Sequence, residues 1–218
     1  MVSILELAGP SKTIMNSDKL KRRSSFIAIA VFIAFAPHIY AEKGVFMTAQ
    51  HFISQSFEIK DEQLNDGAHT LVQQKKLWLN EERKQKVEEI LHHKYSSLRV
   101  RYWTNGKRTA WVLDEIGKEH PITFGVSVEN GQILDVVVLE FRESRGGEIR
   151  YPFFTKQFIN ASLDQSKSKA SLTNSIDGIT GATLSVRAAK KIATLALYFH
   201  EQIEFDGRLN EQLSTASE

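Results

Sequence analysis

The feature that most constrains this chain is a series of four apolar runs between Leu98 and Phe141, punctuated by turn signals. LRVRYW (Leu98–Trp103) alternates and leads into TNGK, whose Asn-Gly centre reads as a hairpin turn. RTAWVLDEI (Arg108–Ile116) is the returning strand. PITFGVSV (Pro121–Val128) and QILDVVVLEF (Gln132–Phe141) follow, joined through Glu129-Asn130-Gly131. Connections this short join antiparallel neighbours, because a parallel crossover needs about a dozen residues or more. Later, Leu184, Ala188, Ile192, Leu195, Phe199 and Ile203 recur at helical spacing, so one face of a helix must be buried. Strands first and a helix last predict an α+β fold. The expected architecture is an antiparallel sheet of four or more strands with a C-terminal helix packed on it.

Other segments are less decisive. GVFMTAQHFISQSFEIK (Gly44–Lys60) reads as an amphipathic helix, or as a helix and a strand. NEERKQKVEEILHHKY predicts a short surface helix, with Asn80 as its cap, acidic residues in its first turn and Val87, Ile90 and Leu91 inward. His92-His93 is expected at the solvent-facing end of that helix. YPFFTKQFI (Tyr151–Ile159) is a short helix or irregular segment, SLDQSKSKASLTNS is a polar loop, and the tail after Gly207 is expected to fray.

The first 41 residues read as an export leader. Lys19, Lys21, Arg22 and Arg23 form a basic cluster, Phe26–Ala36 is an apolar run, and Pro37 and a small residue at Ala41 follow. A bilayer span takes about 20 apolar residues, so cleavage is expected, with an uncleaved anchor as the alternative. Met15 offers a second plausible start. These residues hold five basic and two acidic side chains, so of the net charge of +2 the remainder carries about −1. Nothing in the body asks for a polyanion, and no nucleic-acid partner is expected. With no cysteine, disulfides and thiolate chemistry are excluded.

The chemistry concentrates in DGITGATLSVRAAKKI (Asp177–Ile192), where small residues surround Thr183 just before the helix. On one reading, Gly181-Ala182 turn the chain and Thr183 or Ser185 caps the helix. A nucleotide phosphate loop is excluded, because GITGATLS lacks the Lys-Ser/Thr ending. On another reading, the free N–H groups and dipole of the helix start hold a phosphate, carried as an ester on the Thr183 hydroxyl. No Ser-His-Asp order, metal-ligand spacing or carboxylate pair suggests hydrolysis.

DGITGAT resembles the flavinylation motif of the FMN-binding domain family. That family includes flavin subunits of sodium-pumping quinone reductase and of the ferredoxin-linked electron-transport complex, and small exported flavoproteins. The resemblance implies covalent FMN on Thr183, moved from FAD by a dedicated flavin transferase. It also implies Asp177 as the acidic residue that the transferase requires, with Thr180, Gly181 and Ala182 forming the turn. His120–Phe158 resembles the family's preceding core. Glu143, Ser144, Arg145 and Gly146 stand where pump subunits have Glu-Thr-Pro-Gly, and Arg145 in place of Pro resembles small exported members. Glu143 and Arg145 therefore join the implied cofactor site. Arg150 is either a further phosphate partner or a surface arginine, and Trp103, Trp111 and Phe124 either line the flavin or belong to the core. The resemblance runs from about Leu77 to His200. Beside the leader over 1–41, the chain is thus divided into an extension of unclear structure over 42–76, to which the resemblance does not reach, an FMN-binding domain over 77–206 and a flexible tail over 207–218. The expected function is extracytoplasmic electron carriage between a membrane redox partner and an exported acceptor. A flavin-dependent terminal reductase and a non-redox sensory module are the alternatives.

Overall fold

The computed structural model describes residues 43–64 and 72–216, so the leader expected over 1–41 lies outside the described residues. Six strands form one antiparallel sheet: β1 (Gly44–Val45), β2 (Gln73–Trp78), β3 (Arg99–Thr104), β4 (Arg108–Ile116), β5 (Pro121–Glu129) and β6 (Gln132–Phe141). Their spatial order is β1-β6-β5-β4-β3-β2. The α+β expectation holds, because helix α4 (Thr183–Ala216), which follows the one-turn helix α3 (Pro152–Thr155), packs along this sheet. No helix of the described residues is long and apolar enough to cross a membrane.

The turn chemistry explains the central hairpin. Glu129 pairs with Gln132, and Asn130 and Gly131 have φ of 52° and 70°. Two successive positive φ values define the tight turn that matches strand twist, and Asn-Gly tolerates both. The Asn-Gly at 105–106 behaves differently. The last pair there is Thr104 with Thr109, so the loop holds four residues and Asn-Gly is not its centre. The Asn105 side chain accepts from the N–H groups of Lys107 and Arg108, which stabilises this wider loop.

The two faces of the sheet carry separate cores. On one, Trp111, Leu113, Phe124, Val126 and Ile133 meet Ala188, Ile192, Ala196 and Phe199 of α4 and Val87, Ile90 and Leu91 of helix α2 (Glu81–Leu91). Asn80 caps α2 as expected, its Oδ1 accepting from Arg83 N–H at 2.9 Å. Leu184 departs from the expected buried stripe and is 40% exposed, because it lies in the first turn of α4, at the helix's exposed start. On the opposite face, helix α1 (Ala49–Ser56) lays Phe52 and Ile53 over Ala110 and Leu139. The segment 42–76, read from sequence as an extension of unclear structure, thus supplies β1, α1 and most of β2. α4 also continues past Gly207, where a frayed tail was expected. One glycine costs a helix only about 1 kcal/mol relative to alanine, too little to end one already seated on a sheet.

The helix end at His92-His93 is partly engaged. His93 donates from Nε2 to buried Glu115 at 2.9 Å and from Nδ1 to the Lys94 carbonyl at 3.0 Å. The Glu115 bond, then the Lys94 bond, raise the His93 pKa above its ordinary value. Lys191 of α4 reaches the other Glu115 oxygen at 2.8 Å, so one buried carboxylate joins α2, β4 and α4.

Gly125 lets α1 approach the sheet. A Cβ there would stand 2.7–2.8 Å from three ring atoms of Phe52, which is 1% exposed. Gly125→Ala should lower stability by about 1–3 kcal/mol through overpacking. A denaturant midpoint unchanged from wild type would show that α1 is not seated there.

Candidate functional site

The turn before α4 is built by backbone geometry. The Ile179 carbonyl accepts from Ala182 N–H at 3.0 Å, and Gly181 has φ of 84°. This is a type II turn, whose third residue needs positive φ, and glycine adopts it without strain. Ala182 then takes the N-cap position, since its carbonyl accepts the first helical bond from Val186 N–H at 2.9 Å.

Thr183 is therefore the first helical residue, and neither it nor Ser185 is the cap. Alanine has no side-chain acceptor. Among the described residues, no side chain accepts from the N–H groups of Thr183, Leu184 or Ser185. The start of α4 presents unpaired donors and the positive end of its dipole. Thr180, Gly181 and Thr183 are exposed, whereas Ala182 is buried. Arg187, also exposed, stands four residues beyond Thr183 on the same helix face.

Two contacts fix this turn. Gly146, at φ of 87°, backs onto the helix start, and a Cβ there would lie 2.5 Å from Ser185 Oγ and 3.4 Å from Ala182 Cα. The loop carrying exposed Arg145 is thereby brought against the turn carrying Thr183. From the other side, Gln157 Oε1 accepts Asp177 N–H at 2.7 Å. Asn174 Nδ2 donates to the Gln157 and Ile159 carbonyls at 2.9 and 3.2 Å. Asp177 is exposed, with its backbone held and its carboxylate outward of the core.

Glu143 has a different job. It is 3% exposed, and one carboxylate oxygen accepts from the N–H groups of Lys118, Glu119 and His120 at 2.5–2.8 Å. It closes the β4–β5 turn and sets the path of its own loop. Burial pushes its pKa up, but the three backbone bonds and nearby His120 outweigh that and hold it below the usual range.

The aromatic side chains divide likewise. Trp111 and Phe124 are fully buried in the α4-side core, and Trp103 packs on the opposite face among the α1 contacts. Arg150 lies 4.4 Å from the Phe46 ring centroid and 4.8 Å from that of Tyr151, and it donates to the Tyr151 hydroxyl at 2.8 Å. Tyr151 and Phe153, 44% and 62% exposed, stack at 6.3 Å just beyond the Gly146 loop. Sequence reasoning missed these two, as well as Gln157 and Arg187, and read Ser185 only as a possible cap. Only the aromatics carried a signal, as part of the apolar run Tyr151–Phe154.

Residues 117–198 match the family model of the FMN-binding domain. Over that span the chain is similar to an FMN-binding domain. The matched span contains β5, β6, the Glu143–Gly146 loop, the type II turn and the first half of α4, so the family's segment and the converging loops coincide. Strands β1 to β4 lie before it yet complete the same sheet. No curated protein and no solved structure matches the chain.

The Glu143 bonds give a pH signature. Because the folded pKa lies below the unfolded value of 4.5, their stabilisation is complete above that value and is lost as pH falls through the folded pKa. Glu143→Gln should be less stable at neutral pH and show a shallower loss of stability on acidification below pH 4.5. Parallel wild-type and variant stability curves across that range would contradict the assignment.

Proposed function

We propose that FMN is attached covalently to Thr183 and that the chain works as an extracytoplasmic electron carrier. The observation that carries this reading is an exposed hydroxyl at the first residue of an uncapped, 34-residue helix, inside the matched FMN-binding segment. The donor set fits a phosphate: the free N–H groups of Thr183, Leu184 and Ser185 face outward from the helix end, and Arg187 is one turn away. A phosphodiester keeps about one negative charge, which a helix start stabilises by roughly 0.3–1 kcal/mol. A side-chain cap would compete for the same donors, and Ala182 supplies none.

Attachment requires an FAD-dependent flavin transferase. The Thr183 oxygen forms a bond to the FMN phosphorus as the pyrophosphate bond of FAD breaks, AMP leaves, and the hydroxyl proton passes to base. Gly181 and Ala182 keep the approach to that oxygen clear, and Asp177, held through its N–H by Gln157, offers its carboxylate to the transferase. Arg145 adds a cation beside the turn, and Tyr151 and Phe153 offer exposed rings for the isoalloxazine. The bound flavin supplies one- or two-electron transfer, while the protein holds and orients it.

The leader-like first 41 residues support export, where a tether prevents loss of the cofactor by dilution. A membrane-bound redox partner would then deliver electrons to the carrier. Expressed with the transferase, wild type and Thr183→Ser should each show an FMN adduct on the peptide containing residue 183 by mass spectrometry, and Thr183→Ala none. An adduct surviving in Thr183→Ala, or absent from wild type, would overturn the assignment.

A further inference from the structure

The corner that follows α2 is held by a histidine whose two ring nitrogens both face acceptors. His93 Nε2 lies 2.9 Å from Glu115 Oε2, and its Nδ1 lies 3.0 Å from the Lys94 carbonyl oxygen. A carboxylate oxygen and a carbonyl oxygen only accept, so this arrangement needs a proton on each ring nitrogen. The imidazolium supplies two, and the neutral ring supplies one. Glu115 is 3% exposed, and its other oxygen accepts from Lys191 Nζ at 2.8 Å. One buried carboxylate therefore sits between a cation on α4 and a group on the corner whose charge depends on pH.

Loss of a proton from His93 leaves no arrangement that keeps both bonds. If the ring retains the Nε2 proton, the Nδ1 lone pair meets the Lys94 carbonyl. If it retains the Nδ1 proton, the Nε2 lone pair meets the carboxylate. Either contact is repulsive at these distances, and the side chain, 43% exposed, has water to turn into. The backbone beside it is under constraint. His92 ends α2 in the left-handed region at φ of 58°, which a residue other than glycine keeps only where its surroundings hold it. Tyr95 N–H donates to Glu88 Oε1 at 3.1 Å and is the corner's other anchor to α2.

We propose that His93 is a proton-controlled latch: protonated, it fastens the corner from His92 to Tyr95 onto β4 through Glu115, and neutral, it lets that corner go. The charged groups that act on it are Glu115 of β4, which favours its proton, and Lys191 of α4, which opposes it. The Glu115 bond and then the Lys94 bond outweigh burial and Lys191, and they raise the His93 pKa above 6.5. Because the folded value is the higher one, the latch stabilises the corner fully below 6.5 and is lost as pH rises through the folded value.

Amide exchange and ¹⁵N-histidine resonances of the full chain, followed from about pH 5.5 to 9, test this. His93 should titrate above 6.5. Protection of the Tyr95 amide, corrected for the intrinsic pH dependence of exchange, should fall at least about threefold with the same midpoint. Lys191→Gln removes the opposing cation and should move both midpoints upward, while His93→Gln should abolish the pH-dependent step. A His93 midpoint at or below 6.5, Tyr95 protection that does not change there, midpoints unmoved in Lys191→Gln, or a step that survives in His93→Gln would overturn the latch.

Discussion

The structure depends on how closely α4 approaches the sheet. Ala188, Ala189, Ala193 and Ala196 are all buried on the face that meets β4 and β5, interleaved with Ile192, Leu195 and Phe199. Small residues bring the helix axis near the strands, and the larger ones fill the spaces between them. Once seated, the helix has a fixed start, so the dipole and unpaired N–H groups at Thr183 occupy a defined place. Every positional feature of the candidate site follows from that seating. Gly146 needs its missing Cβ because Ser185 is already there, and the loop behind it is shaped by Glu143 under the β4–β5 turn.

The start and the middle of α4 sit in different electrostatic surroundings. At the start, capping is withheld, and an exposed threonine stands where an anion is stabilised. Seventeen residues on, buried His200 stands between Thr109 Oγ1 at 2.8 Å and the Glu204 carboxylate at 3.2 Å. Between them Lys191 meets Glu115, a buried carboxylate that also holds His93 and so ties the helix to β4 and α2.

Much of this was legible in the sequence. Runs such as Arg108–Ile116 and Gln132–Phe141 gave their strand limits because alternation and punctuation agreed, and Asn130-Gly131 gave its turn because both residues accept positive φ. The turn at Thr183 was legible from its small residues and its motif. The edge strands were not: Gln73 to Lys76 are exposed polar residues whose strand state comes from pairing with β3. The seat of α1 was hidden as well, since it rests on a gap at Gly125 that only the Phe52 ring reveals. Glu143 looked like a ligand because its motif position says nothing about which way a carboxylate turns. Gln157 reaches Asp177 across twenty residues, a distance over which no local pattern signals contact.

If a phosphorus atom bridges the Thr183 oxygen and a flavin, its ionisation reports the bond directly. A phosphate monoester has a second pKa of about 6, which a diester lacks. The ³¹P resonance of the flavin-loaded protein, followed from pH 5 to 8, should therefore stay flat. A resonance that titrates near pH 6 would mean that the flavin phosphate is not esterified to Thr183.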